Sequence, residues 1–227
     1  MNKRYQILFT AALLCIQSVV IAGWPNVPDP PRASLIPFAG NLNYNGLNMR
    51  SWIFKSASSV EQVLEYYRSK WTDQQIVENR YAQWQQISNK KGKYFITIQV
   101  QDGPIKGSIG RINILELDAN ANTTKLARDI PMLSSSKVLN DIKSTDKLYA
   151  ARTIALVNSF SLSSNIQFYN DHYRNNGWGL VQNNPVEGKA HLLIFKKSSD
   201  EITVMISSKQ NETAVLINQT NVRGWLN

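Results

Sequence analysis

One cysteine, Cys15, and two histidines, His172 and His191, are all that the chain carries of those two ligand types. Neither histidine has a second histidine or a cysteine nearby at metal-ligand spacing, so no metal site is predicted. No Gly-x-Ser-x-Gly is present, and Gly107-Ser108-Ile109-Gly110 matches neither a nucleophile elbow nor a phosphate-cradling loop. Acidic residues are sparse, 16 against 25 lysines and arginines, and most fall in turns, caps or helix faces. A glycosidase needs only two carboxylates, so an envelope hydrolase stands as the weakest reading. The expectation is a non-enzyme with no catalytic residue, no metal and no cofactor.

Long apolar runs are also missing, except at the start. Met1 to Gly23 has the layout of a secretory signal: Lys3 and Arg4, an apolar stretch from Ile7 to Ile16, and a small-residue exit at Val20-Ile21-Ala22. Cleavage is expected after Ala22, because the stretch is short of the roughly 20 apolar residues that span a bilayer. Cys15 lacks a small residue just before it and reads as one more apolar residue, not a lipidation point. Removing residues 1–22 leaves no cysteine. An exported chain of this size without disulfides points to a Gram-negative periplasm or bacterial surface. There the Asn-x-Thr triplets at Asn122, Asn211 and Asn218 carry no meaning. Losing Lys3 and Arg4 lowers the formal charge from +9 to +7, which favours anionic surfaces without choosing among them.

What the chain does contain is an internal echo at an offset of 106 residues. Ser58 maps to Ser164, Tyr67-Arg68 to Tyr173-Arg174, Lys90-Lys91 to Lys196-Lys197, and Ile96-Thr97 to Ile202-Thr203. Two copies of one unit explain it. After the signal, residues 23–34 form a proline-rich leader that cannot make a helix or a central strand. The first unit is expected over 35–117, a linker over 118–128, the second unit over 129–220 and a tail over 221–227.

Within unit one, Asn48 to Lys55 reads as a strand, and Ser58 or Ser59 caps a helix with Val60, Val63, Leu64, Tyr67 and Trp71 on one face. Strands follow at Tyr81–Ser88, Lys93–Gln101 and Ser108–Leu117, with a hairpin turn over 89–92. Tyr94, Ile96, Ile98 and Val100 alternate with polar residues, the pattern of a sheet with one wet side. Unit two repeats the order: a strand over 149–160, a helix after Ser163 or Ser164, and strands at 191–196, 201–207 and 213–219. Part of Ser136 to Ser144 is expected as a short helix. The predicted fold class is α+β: two tandem strand–helix–strand–strand–strand units, each a small, mostly antiparallel sheet with one helix on a face, packed as a pseudo-twofold pair. Such units can meet through their open faces or join sheet edges; a compact pair is expected, since each alone is near the lower limit of independent stability.

The candidate binding residues are the pairs Tyr67-Arg68 and Tyr173-Arg174, the lysines Lys90, Lys91, Lys196 and Lys197, and the terminal tryptophans Trp24 and Trp225. An arginine beside tyrosines can hold a carboxylate or phosphate, but an acid three residues before an arginine is also an ordinary helix-surface pair. Paired lysines at a hairpin can form a basic knob or simply blunt an edge. Trp24 and Trp225, near the mature ends, suit a partner contact. The function expected is that of a periplasmic, non-enzymatic binding protein, an accessory or assembly factor of a secretion, pilus or other envelope system. Its partner would be another envelope protein. The alternative is a periplasmic binder of a small or polymeric anionic ligand in the groove between the repeats; an anionic lipid or glycan surface is a further candidate partner, and no nucleic acid is expected.

Overall fold

The computed structural model describes residues 23–38, 40–72, 75–118, 126–146, 149–186, 188 and 190–221. The expected signal segment, Cys15 and Trp225 lie outside these. In chain order the elements are β1 (Ala33–Pro37), β2 (Asn41–Tyr44), β3 (Leu47–Ser56), α1 (Val60–Lys70), β4 (Val77–Tyr81), β5 (Trp84–Lys91), β6 (Tyr94–Asp102) and β7 (Ser108–Glu116). They continue with β8 (Lys137–Thr145), β9 (Ala150–Asn158), α2 (Leu162–Asn175), β10 (Gly179–Val186), β11 (Ala190–Lys197), β12 (Asp200–Lys209) and β13 (Glu212–Asn221). Among the described residues no helix is long and apolar enough to cross a membrane.

The α+β expectation of two small sheets is overturned. All thirteen strands belong to one antiparallel sheet, ordered β10-β11-β12-β13-β9-β8-β2-β3-β7-β6-β5-β4, with β1 beside β3. Strands take 56 % of the described residues and the two helices 14 %, so the molecule is a sheet with helices laid on it. The reason lies at β2, whose second edge pairs with β8 (Asn41↔Thr145 to Tyr44↔Ile142) and carries the ladder from one half into the other. The segment expected as a short helix is β8 itself, held between β2 and β9.

The halves trace the same path. Setting aside β1, which lies off the main strand order beside β3, each runs lead strand, strand, helix, then a four-strand meander whose last member returns beside the strand before the helix. The pair Ile87↔Ile98 on β5 and β6 recurs as Leu193↔Val204 on β11 and β12, at the 106-residue offset.

Ser59 caps α1, its Oγ accepting from the Gln62 N–H while Gln62 Oε1 accepts from the Ser59 N–H. Ser161, not Ser163 or Ser164, caps α2. The caps are 102 residues apart while the buried Tyr67 and Tyr173 are 106 apart. That difference of four is about one turn of 3.6 residues, so the longer α2 keeps its inward face.

Both helices cover the same face of the sheet. Phe54, Ile112, Ile98 and Ile87 line it beneath α1, and Ile154, Ile217, Val204 and Leu193 beneath α2; all are essentially buried. The leader joins the first core: Trp24 lies against Tyr94, ring centroids 5.3 Å apart, and Tyr67 Oη donates to the Pro28 carbonyl at 2.8 Å. The segment 127–132 covers the second core through Ala127, Ile130 and Met132.

Candidate functional site: the uncovered face of the sheet

The side chains singled out in the sequence fall in separate places. Tyr67 and Tyr173 are buried under their helices, Tyr173 packed on Phe195 and Trp178. Burial pushes both hydroxyls well above the usual tyrosine range. Arg68 is engaged by Glu61 at 2.6 Å, Glu65 at 3.0 Å and Glu78 at 2.7 Å, leaving it little capacity for a ligand. Arg174 is exposed on α2. The helices lie over β5–β6 and β10–β12. From β6 to β12 is seven strand spacings, on the order of 30 Å along the sheet, so no groove brings the two arginines together.

The lysine hairpins also stand apart. Strands β5 and β11 run in opposite directions, which puts the turns after them at opposite ends of the sheet. Lys90 and Lys91 are exposed; Lys196 pairs with Glu201 at 3.3 Å, and Lys197 donates to the Asn176 carbonyl at the end of α2. Trp24 is half-buried beneath the Arg50 guanidinium, 4.7 Å from its ring centroid.

The structure draws attention elsewhere, to the face opposite the helices. Strand register places its residues in rows across the first half. Leu42, Met49, Leu115 and Phe95 form one row, with Lys90 at its end. Ser51, Asn113, Thr97 and Ser88 form the next, and Ile53, Arg111, Gln99 and Gln86 the third. Phe38 joins the middle row, its N–H donating to the Ser51 carbonyl. Most of these residues, together with Tyr44 and Ile142, line an open groove of about 450 Å³.

The polar members hold one another in place. Ser51 Oγ donates to Asn113 Oδ1 at 2.7 Å, Gln99 Nε2 to Gln86 Oε1 at 3.2 Å, and Gln86 Nε2 to Ser88 Oγ at 3.1 Å. Arg111 is exposed and lies over the Trp84 ring at 5.8 Å, with no carboxylate partner among the described residues. On the second half the same face carries Ala151, Thr153, Ala155, Leu192, Ile194, Met205, Ala214 and Leu216.

Charge is scarce across this face. Lys55, Lys90, Lys137, Lys196, Glu201, Lys209 and Glu212 all stand at or next to strand ends, and among the described residues Arg111 is the only charged one further in. The described acids of this face, Glu201 and Glu212, stand at strand ends, Glu201 paired with Lys196, and among the described residues no group of three or more His, Cys, Asp or Glu is placed to hold a metal. What the arrangement offers chemically is a broad hydrogen-bonding and apolar surface with one cation inside it. A comparison with family models, with curated proteins and with solved structures finds no match to the chain.

Proposed function

We propose that this is a non-enzymatic, exported binding protein, an accessory or assembly factor of a bacterial envelope system, and that it binds its partner through the uncovered face of the sheet. One observation carries the reading: among the described residues, the interior of that face holds Arg111 as its sole charge. A solvated sheet face of this breadth ordinarily bears many lysines and glutamates. Depletion of charge with retention of aromatics, methionine and arginine is the composition of an interface core, and Tyr44, Phe95, Trp84, Met49, Met205 and Arg111 supply it here. The sheet edges suit partners less well. Strand β4 has only five residues, and β10 carries Pro185 and an irregularity between Leu180 and Gln182, features that discourage strand addition.

The reading is tested by placing a photo-crosslinking side chain at Leu216 or Ile194 on the uncovered face, and at Asp171 on α2 as the comparison. Crosslinks in cells should form from the face positions alone and disappear when Met205→Lys is added. Equal crosslinking from Asp171, or persistence in the lysine variant, would overturn the proposal.

A further inference from the structure

We infer that the groove on the first half of the uncovered face binds an anionic amphiphile, one apolar chain carrying a phosphate or carboxylate head. This rests on the reading of that face as a binding surface and names the class of ligand its first half would take. The rows supply the argument. Along the strand direction the groove changes from apolar (Leu42, Met49, Leu115, Phe95) through neutral hydrogen-bonding (Ser51, Asn113, Thr97) to cationic at Arg111. Leu115 and Arg111 lie four residues apart on β7, about 13 Å along an extended strand. A ligand lying parallel to the strands meets all three environments in order.

The head end has a second cation. Lys55 faces Ile109 while Arg111 faces Ile53, which makes Lys55 and Arg111 diagonal neighbours about 7–8 Å apart. Neither is paired with a carboxylate among the described residues. Lys55 and Arg111 are two unneutralised cations at one end of the groove, while the other described charges of this face, Lys90 beside Phe95 among them, stand at strand ends, so the pair favours one anionic group there. Asn113 Nδ2 and Gln99 Oε1 keep hydrogen-bonding capacity beyond the contacts that orient their side chains. Phe95 at the tail end is 36 % exposed and Phe38, beside the middle row, 54 %, apolar surface that an acyl chain would take out of water. The groove's volume lies within the range typical of small-molecule sites.

The test is calorimetric titration of the protein with dodecyl phosphate, with dodecyl maltoside and with inorganic phosphate, each amphiphile below its micelle concentration. Dodecyl phosphate should bind at least tenfold more tightly than either of the others, and more weakly as salt rises. Arg111→Gln, an exposed change that leaves the core intact, should abolish the preference over the maltoside. Leu115→Gln should weaken both amphiphiles together. The inference fails if dodecyl phosphate does not bind, if inorganic phosphate binds as well, or if Arg111→Gln keeps the preference. Should it fail while crosslinks still form from Leu216, the face remains a binding surface and only the ligand class is wrong.

Discussion

Arg152 grips both carboxylate oxygens of Asp141, Nε to Oδ1 and Nη2 to Oδ2, each at 2.8 Å, beside the strand pair that joins the two halves of the sheet. Both side chains are almost wholly buried, and Arg152 reaches on to Asp129 at 2.6 Å. Asp141 is tied to the first half through its backbone: its carbonyl accepts from the Asn45 N–H, and its own N–H donates to Asn45 Oδ1. Removing one member strands a buried charge, at a cost of about 3–5 kcal/mol. Arg152→Met and Asp141→Leu should therefore each lower the urea midpoint sharply. The double variant should recover much of the loss, because neither charge is then left alone. A double variant as unstable as the sum of the singles would show that the pair acts independently.

The same pair sets an acid limb. Burial works to raise the Asp141 carboxyl, but the Arg152 hydrogen bonds and charge, with the Ala127 N–H, outweigh it and hold the group below the usual carboxylate range. Asp129 is held down chiefly by its hydrogen bond to Arg152. A carboxylate depressed in the folded state stabilises the fold above its unfolded value, about 3.9, and loses that contribution as pH falls through the folded value. Stability should thus fall away below about pH 4. Asp141→Asn, less stable at neutral pH, should lose less on acidification than the parent. Denaturation midpoints at pH 6 and pH 3 decide it, and parallel losses would remove Asp141 as the cause.

The parts of this fold legible in the sequence are those governed by local periodicity. Tyr94, Ile96, Ile98 and Val100 alternate on β6 and are all buried, and the helix face of α1 follows from its spacing in the same way. The continuous sheet is not legible, because its seam is a short four-pair ladder in which Asn41, Asn43, Lys143 and Ser144 interrupt any apolar run. Asn41 and Asn43 fall in no expected element, Lys143 and Ser144 fall where a short helix is expected, and what all four contribute is backbone pairing between distant segments. Strand β4 is exposed throughout and offers no alternation to find. Among the described residues, the interior of the candidate face carries none of the charged or arginine–tyrosine motifs by which a binding site announces itself in a sequence. A signal was present all the same: the outward residues of β6, Phe95, Thr97 and Gln99, carry no charge, whereas a wet strand face normally does.

Phe54 lies across the sheet from Gly110 on the helix side, its ring over the bare backbone. A methyl at position 110 would collide with the edge of that ring and with the Gln99 carbonyl. Phe54 is 1 % exposed and hemmed in by the first core, so the ring cannot swing aside without disturbing its neighbours. Gly110→Ala should destabilise by about 1–3 kcal/mol, as overpacking does. Gly110→Ala combined with Phe54→Leu should lose less than the two changes summed, read from thermal or urea unfolding. Simple additivity would mean the clash is relieved elsewhere.

Two tyrosines on the inward faces of the helices should respond oppositely to losing their hydroxyl. Tyr67 Oη donates to the Pro28 carbonyl at 2.8 Å and so pins the leader to α1. Tyr169, equally buried under α2, has a hydroxyl with no hydrogen-bond partner among the described residues. Tyr67→Phe breaks a bond and leaves the carbonyl unmatched, costing about 1–2 kcal/mol, and it should hasten proteolytic removal of residues 23–30. Tyr169→Phe removes a buried polar group that nothing satisfies, and should be neutral or stabilising by up to about 1 kcal/mol. Urea denaturation of the two variants side by side separates them by sign. A loss at Tyr169 matching that at Tyr67 would mean that an ordered water completes the second hydroxyl's hydrogen bonding.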